Sequence, residues 1–87
     1  MSREVKIAEN IVALRKKHNV TQEQLAEAIN VSPKTVAKWE LSITCPNASK
    51  LALIADYFHV SLEYLFYGYE SGKNRNIRVK VPIEYPN

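Results

Sequence analysis

Three times along this chain a residue that tolerates left-handed backbone is followed by valine and then by a hydroxyl: Asn19-Val20-Thr21, Asn30-Val31-Ser32 and His59-Val60-Ser61. Each triplet can end one helix and start the next. The first residue takes the left-handed position that closes a helix, the valine lies just ahead of the following helix as a staple, and the hydroxyl caps it. A staple needs an apolar partner four positions past the cap, and Leu25, Val36 and Leu65 stand there. Thr21 and Gln24 also form a capping box, and Pro33 follows Ser32 at the first helical position, where its missing N–H costs nothing. Turns this short make successive helices cross steeply, so an all-α domain is expected.

The apolar spacing predicts five helices across residues 3 to 67. The first runs from a Ser2 cap to about Lys17, with Ile7, Ile11 and Leu14 on one stripe that Val5, Ala8 and Val12 widen. Arg15, Lys16 and Lys17 in its last turn suit the negative end of the helix dipole. Helix two, about Gln22 to Ile29, turns Leu25, Ala26 and Ile29 inward, and the small Ala26 and Ala28 allow a neighbour to approach closely. Helix three, about Pro33 to Leu41, turns in Val36, Ala37 and part of Trp39, leaving Lys34 and Lys38 four apart on the opposite face. After a loop from Ser42 to Pro46, Asn47 caps helix four, whose stripe is Leu51, Ile54, Ala55 and Phe58. Helix five, about Leu62 to Tyr67, closes the core with Leu62, Leu65 and Phe66 and stops at Gly68.

Residues 68 to 87 follow a different rule. A polar linker, Ser71 to Asn76, leads to Ile77, Val79, Val81, Ile83 and Tyr85 alternating with Arg78, Lys80, Pro82 and Glu84, which is strand periodicity. Pro82 bars a central sheet position because it cannot donate to a ladder. A lone strand in a helical domain has three outlets: pairing with its counterpart in a second copy, lying on the helices, or staying mobile. The tail is a candidate dimerisation arm through Ile77, Val79, Val81 and Ile83. Aromatic residues at the junction, Tyr67 among them, are candidates for the same contact.

Charge and composition exclude several classes. The net charge of +3 is modest, and residues 1 to 67 are nearly neutral, with eight Lys or Arg against seven Asp or Glu. A basic surface must therefore come from segregation of charge, not excess. No run approaches the ~20 apolar residues of a membrane span, and the start lacks the apolar run of a signal peptide, so a soluble cytoplasmic protein is expected. Cys45 is the single cysteine and cannot form an internal disulfide. His18 and His59 lie near helix ends without Cys or carboxylate at ligand spacing, so neither a metal nor a cofactor is expected. No nucleophile, base and orienting acid stand out, nor any glycine-rich phosphate loop, so the chain is not read as an enzyme.

Residues 7 to 67 resemble the Cro and lambda-type repressor family, also called the XRE helix-turn-helix family. The residues that carry the resemblance include Leu14-Arg15, Thr21 through Ala26, Val31-Ser32, Val36, Trp39-Glu40, Pro46, Ile54-Ala55 and Val60 through Leu65. The resemblance implies a five-helix lambda-repressor-like DNA-binding domain, with helix three in the major groove and helix two across the backbone. It implies base contacts from Pro33, Lys34, Thr35 and Lys38, and phosphate contacts from Gln22 and Ser32. It also implies an Arg15–Glu40 pair that, beside Trp39, supports the reading helix. The chain departs from the family after Glu40. A glycine is usual two residues on, followed by basic residues, whereas Leu41, Ser42, Ile43, Thr44 and Cys45 carry no charge here. Ser42 and Thr44 can still bond phosphates, but a shallower salt dependence is expected.

The expected function is sequence-specific binding of double-stranded DNA by a homodimeric transcription regulator, most like a phage or mobile-element repressor or Cro protein, on a palindromic operator. The alternative from another class is an antitoxin or other interaction module whose tail binds a partner protein.

Overall fold

The valines of the three triplets do two jobs at once, closing one helix and stapling the next. In the structure, a computed structural model that describes residues 4–70, the Asn19, Asn30 and His59 backbones have φ of 57°, 62° and 59°. The N–H groups of the residues around each turn fold back on the helix just ended: Asn19 to the Lys16 carbonyl at 3.2 Å and Val20 to Arg15 at 2.9 Å. The same pair recurs as Asn30 to Glu27 and Val31 to Ala26, and as His59 to Asp56 and Val60 to Ala55. These bonds satisfy carbonyls that a helix end otherwise leaves unpaired. The staple partners Leu25, Val36 and Leu65 are all fully buried, and Val20, Val31 and Val60 pack against the same core.

The described residues hold five helices: α1 (Ile7–Lys17), α2 (Gln22–Ala28), α3 (Pro33–Glu40), α4 (Ala48–Phe58) and α5 (Leu62–Tyr67). All four expected side-chain caps after α1 are present. Thr21 Oγ1 accepts from Gln24 N–H at 3.0 Å while Gln24 Oε1 accepts from Thr21 N–H at 2.8 Å. Ser32, Asn47 and Ser61 accept from the N–H groups of Thr35, Lys50 and Tyr64. A further side chain, Lys50, reaches across to donate to the Ile29 carbonyl at the end of α2 at 3.3 Å.

One core lies between the helices, formed by Ile11 and Leu14 of α1, Leu25 and Ala26 of α2, Val36 and Trp39 of α3, Ile54, Ala55 and Phe58 of α4, Leu65 of α5, and Ile29. α2 packs on α3, α1 on both α3 and α5, and α4 on α5. Burying a Leu or Ile from water is worth roughly 1.5–3 kcal/mol, so these side chains hold the α2–α3 pair to the rest. The His18 ring adds a tilted contact to Phe58, with centroids 5.2 Å apart.

The structure departs from five of these expectations. α1 starts at Ile7, not at a Ser2 cap, because the Lys6 N–H is donated to the Phe66 carbonyl at 2.7 Å, which holds the entering chain against α5. Val5 therefore precedes the helix and is exposed. Leu62 does not close the core: it sits in the first turn of α5, 45% exposed, and Leu65 carries that role. Ala28 faces solvent, and Ala26 is the small α2 residue buried in the core. Trp39 is more deeply buried than expected, at 4% exposure.

A clasp joins the two ends of the helical unit. Asn10 Nδ2 donates to the Leu65 carbonyl at 2.8 Å, and Gly68 follows in left-handed backbone with φ of 84°. A Cβ on Gly68 would stand 3.1 Å from Asn10 Oδ1, so glycine serves both the turn and the close approach. The strand-like segment and its dimerisation candidates Ile77, Val79, Val81 and Ile83 lie outside the described residues, while Tyr67 is half-buried.

Candidate nucleic-acid interface

α3 owes its position to three supports. Val36 and Trp39 bury one face in the core, the Ser32 cap fixes the start, and Glu40 in the last turn is tied to α1. Arg15 Nε donates to Glu40 Oε2 at 2.7 Å and Arg15 Nη2 to Oε1 at 3.0 Å, while Arg15 Nη1 donates to the Val20 carbonyl at 2.9 Å. The two side chains are only 14% and 7% exposed. Arginine's planar fork suits this bidentate geometry, so the pair fixes direction as well as distance.

The electrostatics follow from those partners. Burial pushes the Glu40 carboxyl up, but hydrogen bonds from Arg15 and Gln22 and the charges of Arg15 and Lys16 outweigh it, leaving the pKa below the ordinary 4.5. The hydrogen bond to Glu40 holds the Arg15 guanidinium above its ordinary value.

The Gln22 bond was not foreseen from the sequence. Its Nε2 donates to Glu40 Oε1 at 2.9 Å, so the first residue of α2 shares the carboxylate with Arg15. The carboxamide retains its second N–H and its oxygen for an outside partner. Gln22 also borders an open groove with Arg15, Lys16, Asn19 and Thr21 at the α1–α2 corner, where the start of α2 presents backbone N–H groups.

On the outer face of α3, Pro33, Lys34 and Lys38 are exposed, and Thr35 and Ala37 are half-buried. Among the described residues neither lysine ammonium enters a salt bridge or hydrogen bond. The Thr35 hydroxyl is partnered with Ser32, with Oγ1 and Oγ 2.9 Å apart. Of the four residues expected at bases, the two lysines thus present unpartnered polar groups, and Thr35 is partly committed to the cap.

The segment after α3, expected to be a plain loop, opens with a fourth helix-closing turn. Ser42 has φ of 62°, with its N–H on the Trp39 carbonyl at 3.1 Å and the Ile43 N–H on the Lys38 carbonyl at 2.9 Å. The signal was available: the family's usual glycine two residues after the glutamate marks a left-handed position, and Ser42 fills it. Ser42 and Thr44 are exposed at the end of the reading helix, as are Leu41 at 70% and Ile43 at 64%. Cys45 is exposed in the same loop.

Among the described residues, no group of three or more His, Cys, Asp or Glu is placed to hold a metal, and no helix is long and apolar enough to cross a membrane.

Comparison with known proteins agrees with this arrangement. The helix-turn-helix family model matches residues 11–65. Over 62 residues the chain is 40% identical to the HTH-type transcriptional activator BcrR of Enterococcus faecalis, covering 71% of this chain and 30% of that protein. The chain spans between 30% and 51% of the length of the curated relatives it matches. A transcriptional regulator from Listeria innocua superposes with a TM-score of 0.73 at 30% identity, covering 94% of this chain and 80% of that one. The P22 c2 repressor, solved in complex with a synthetic operator, superposes at 0.68 with 33% identity, covering 72% of this chain and 96% of that one. With the five helices of the described residues, their caps and the part-buried Arg15–Glu40 support in place, the chain belongs to the XRE-type helix-turn-helix family.

Proposed function

We propose that this chain is a sequence-specific DNA-binding transcription regulator that inserts α3 into the major groove and acts as a homodimer on a palindromic operator. The carrying observation is the pair Lys34 and Lys38, exposed and unpartnered among the described residues, on a helix whose opposite face and last turn are locked to the scaffold. The superposition on a repressor solved with a synthetic operator supports the same reading. In this reading Pro33, Lys34, Thr35 and Lys38 face base edges, while Gln22, Ser32, Ser42 and Thr44 meet phosphates. The Gln22–Glu40 bond points to pre-orientation: the carboxamide is held before DNA arrives, so less freedom is lost on binding.

A single copy reads one half-site, so two copies about 34 Å apart would read a palindrome from one face of the duplex. Residues 68 to 87, with Tyr67, are proposed to supply the dimer contact, and the protein to work in the cytoplasm where its DNA lies.

Selection from random duplex DNA with the full chain tests this function. A palindromic motif is expected, and enrichment of no motif at low salt would overturn it. Lys38→Ala should alter base preference at one position per half-site by about 1–3 kcal/mol, whereas uniform loss on all sequences would make Lys38 a phosphate contact only. Deleting residues 70 to 87 should yield a monomer by mass in solution. A truncated protein that stays dimeric would remove the tail from the contact.

A further inference from the structure

The outer face of α3 carries two lysine ammonium groups and no exposed carboxamide or carboxylate. Lys34 and Lys38 supply ammonium groups, which only donate. The helix contains no Asn or Gln, and both oxygens of its one carboxylate, Glu40, are engaged by Arg15 and Gln22. The Ser32 and Thr35 hydroxyls bond each other, and Ser32 Oγ also takes the Thr35 N–H, so both are partly committed to the cap at the start of the helix.

Major-groove edges differ in what they offer such a surface. Guanine presents two adjacent acceptors, N7 and O6. Adenine sets a donor beside its N7, cytosine shows a donor, and thymine shows one acceptor beside a methyl group. Adenine is best read by a carboxamide and cytosine directly by a carboxylate, and neither group is exposed on this face.

Spacing adds a second constraint. Four residues of helix advance about 6 Å and base pairs are stacked about 3.4 Å apart, so with α3 lying along the groove the two lysine positions are offset by up to about two base-pair steps. From the two lysines and this spacing, and resting on the DNA-reading function above, we infer that each half-site is recognised through two guanines, on either strand, up to about two base pairs apart. Neither lysine reads adenine or cytosine directly.

The test uses the full chain and the duplex motif obtained by selection. Replacing single guanines by 7-deazaguanine, which lacks the N7 acceptor, should weaken binding about tenfold at two positions per half-site. Inosine at the same positions keeps N7 and O6 and should leave binding unchanged. Lys34→Gln and Lys38→Gln should each move one position from guanine towards adenine, because a carboxamide both donates and accepts. Both lysines are exposed, so the variants should unfold at the wild-type temperature, which a thermal melt checks. A reproducible motif lacking the guanine pair, or indifferent to 7-deazaguanine, would overturn this inference while leaving DNA reading intact. Enrichment of no motif would overturn the DNA-reading function itself.

Discussion

Arg15 and Glu40, 25 residues apart in the chain, meet through two parallel hydrogen bonds at 2.7 and 3.0 Å, and through them α1 holds the last turn of the reading helix. Removing one partner leaves the other charge largely shielded from water without its opposite charge. Arg15→Ala is expected to lower stability by about 3 kcal/mol in urea unfolding. Replacing both residues by apolar side chains of similar volume should cost much less, since the pair's desolvation penalty goes with it.

The same pair makes stability depend on acid. A carboxyl whose folded pKa lies below its unfolded value adds stability that is present above the unfolded value and lost as pH falls through the folded one. Glu40 is such a group, with its pKa held below 4.5. Unfolding free energy should therefore fall as pH drops below about 4.5, and Glu40→Gln should show a smaller drop between pH 5 and pH 3 than the wild type. An equal drop in both proteins would assign the acid sensitivity to other carboxyls.

Gln22 connects this buried pair to the proposed phosphate contact. Gln22→Ala removes one hydrogen bond to the Glu40 carboxylate, so the Glu40 titration followed by NMR should shift upward. In DNA binding the same variant should lose affinity on all sequences alike. Its salt slope should stay unchanged, because a neutral contact releases no counterion.

Ser42 occupies left-handed backbone that glycine adopts without steric cost. Ser42→Gly is expected to raise stability by about 0.5–1 kcal/mol, offset in part by the freer unfolded chain. Ser42→Val, with a β-branched side chain in that conformation, should lower it, and urea midpoints of the two variants should fall on opposite sides of the wild type.

Thr21 closes a reciprocal cap at the start of α2, beside the Gln22 groove. Thr21→Ala should cost about 1 kcal/mol, and thermal unfolding measures it. Thr21→Ser should recover most of the loss, because the accepting oxygen is restored.

Much of the helical unit was legible in the sequence because the information was local. A left-handed residue, a staple valine and a hydroxyl cap act over a few positions, and each triplet marks the same boundary in the structure. The faces of α3 were equally readable from the spacing of Val36 against Lys34 and Lys38. The Arg15–Glu40 pair was implied by family resemblance, not by any local pattern. What escaped was set by distant partners. α1 begins at Ile7 because Phe66, some sixty positions on, takes the Lys6 N–H; Leu62 is outside the core because Leu65 fills it; and Gln22 shares Glu40 because α2 and α3 cross. Local backbone preference and capping determine where helices start and stop, whereas only the packed tertiary structure decides which polar groups find each other and which remain free to meet a ligand.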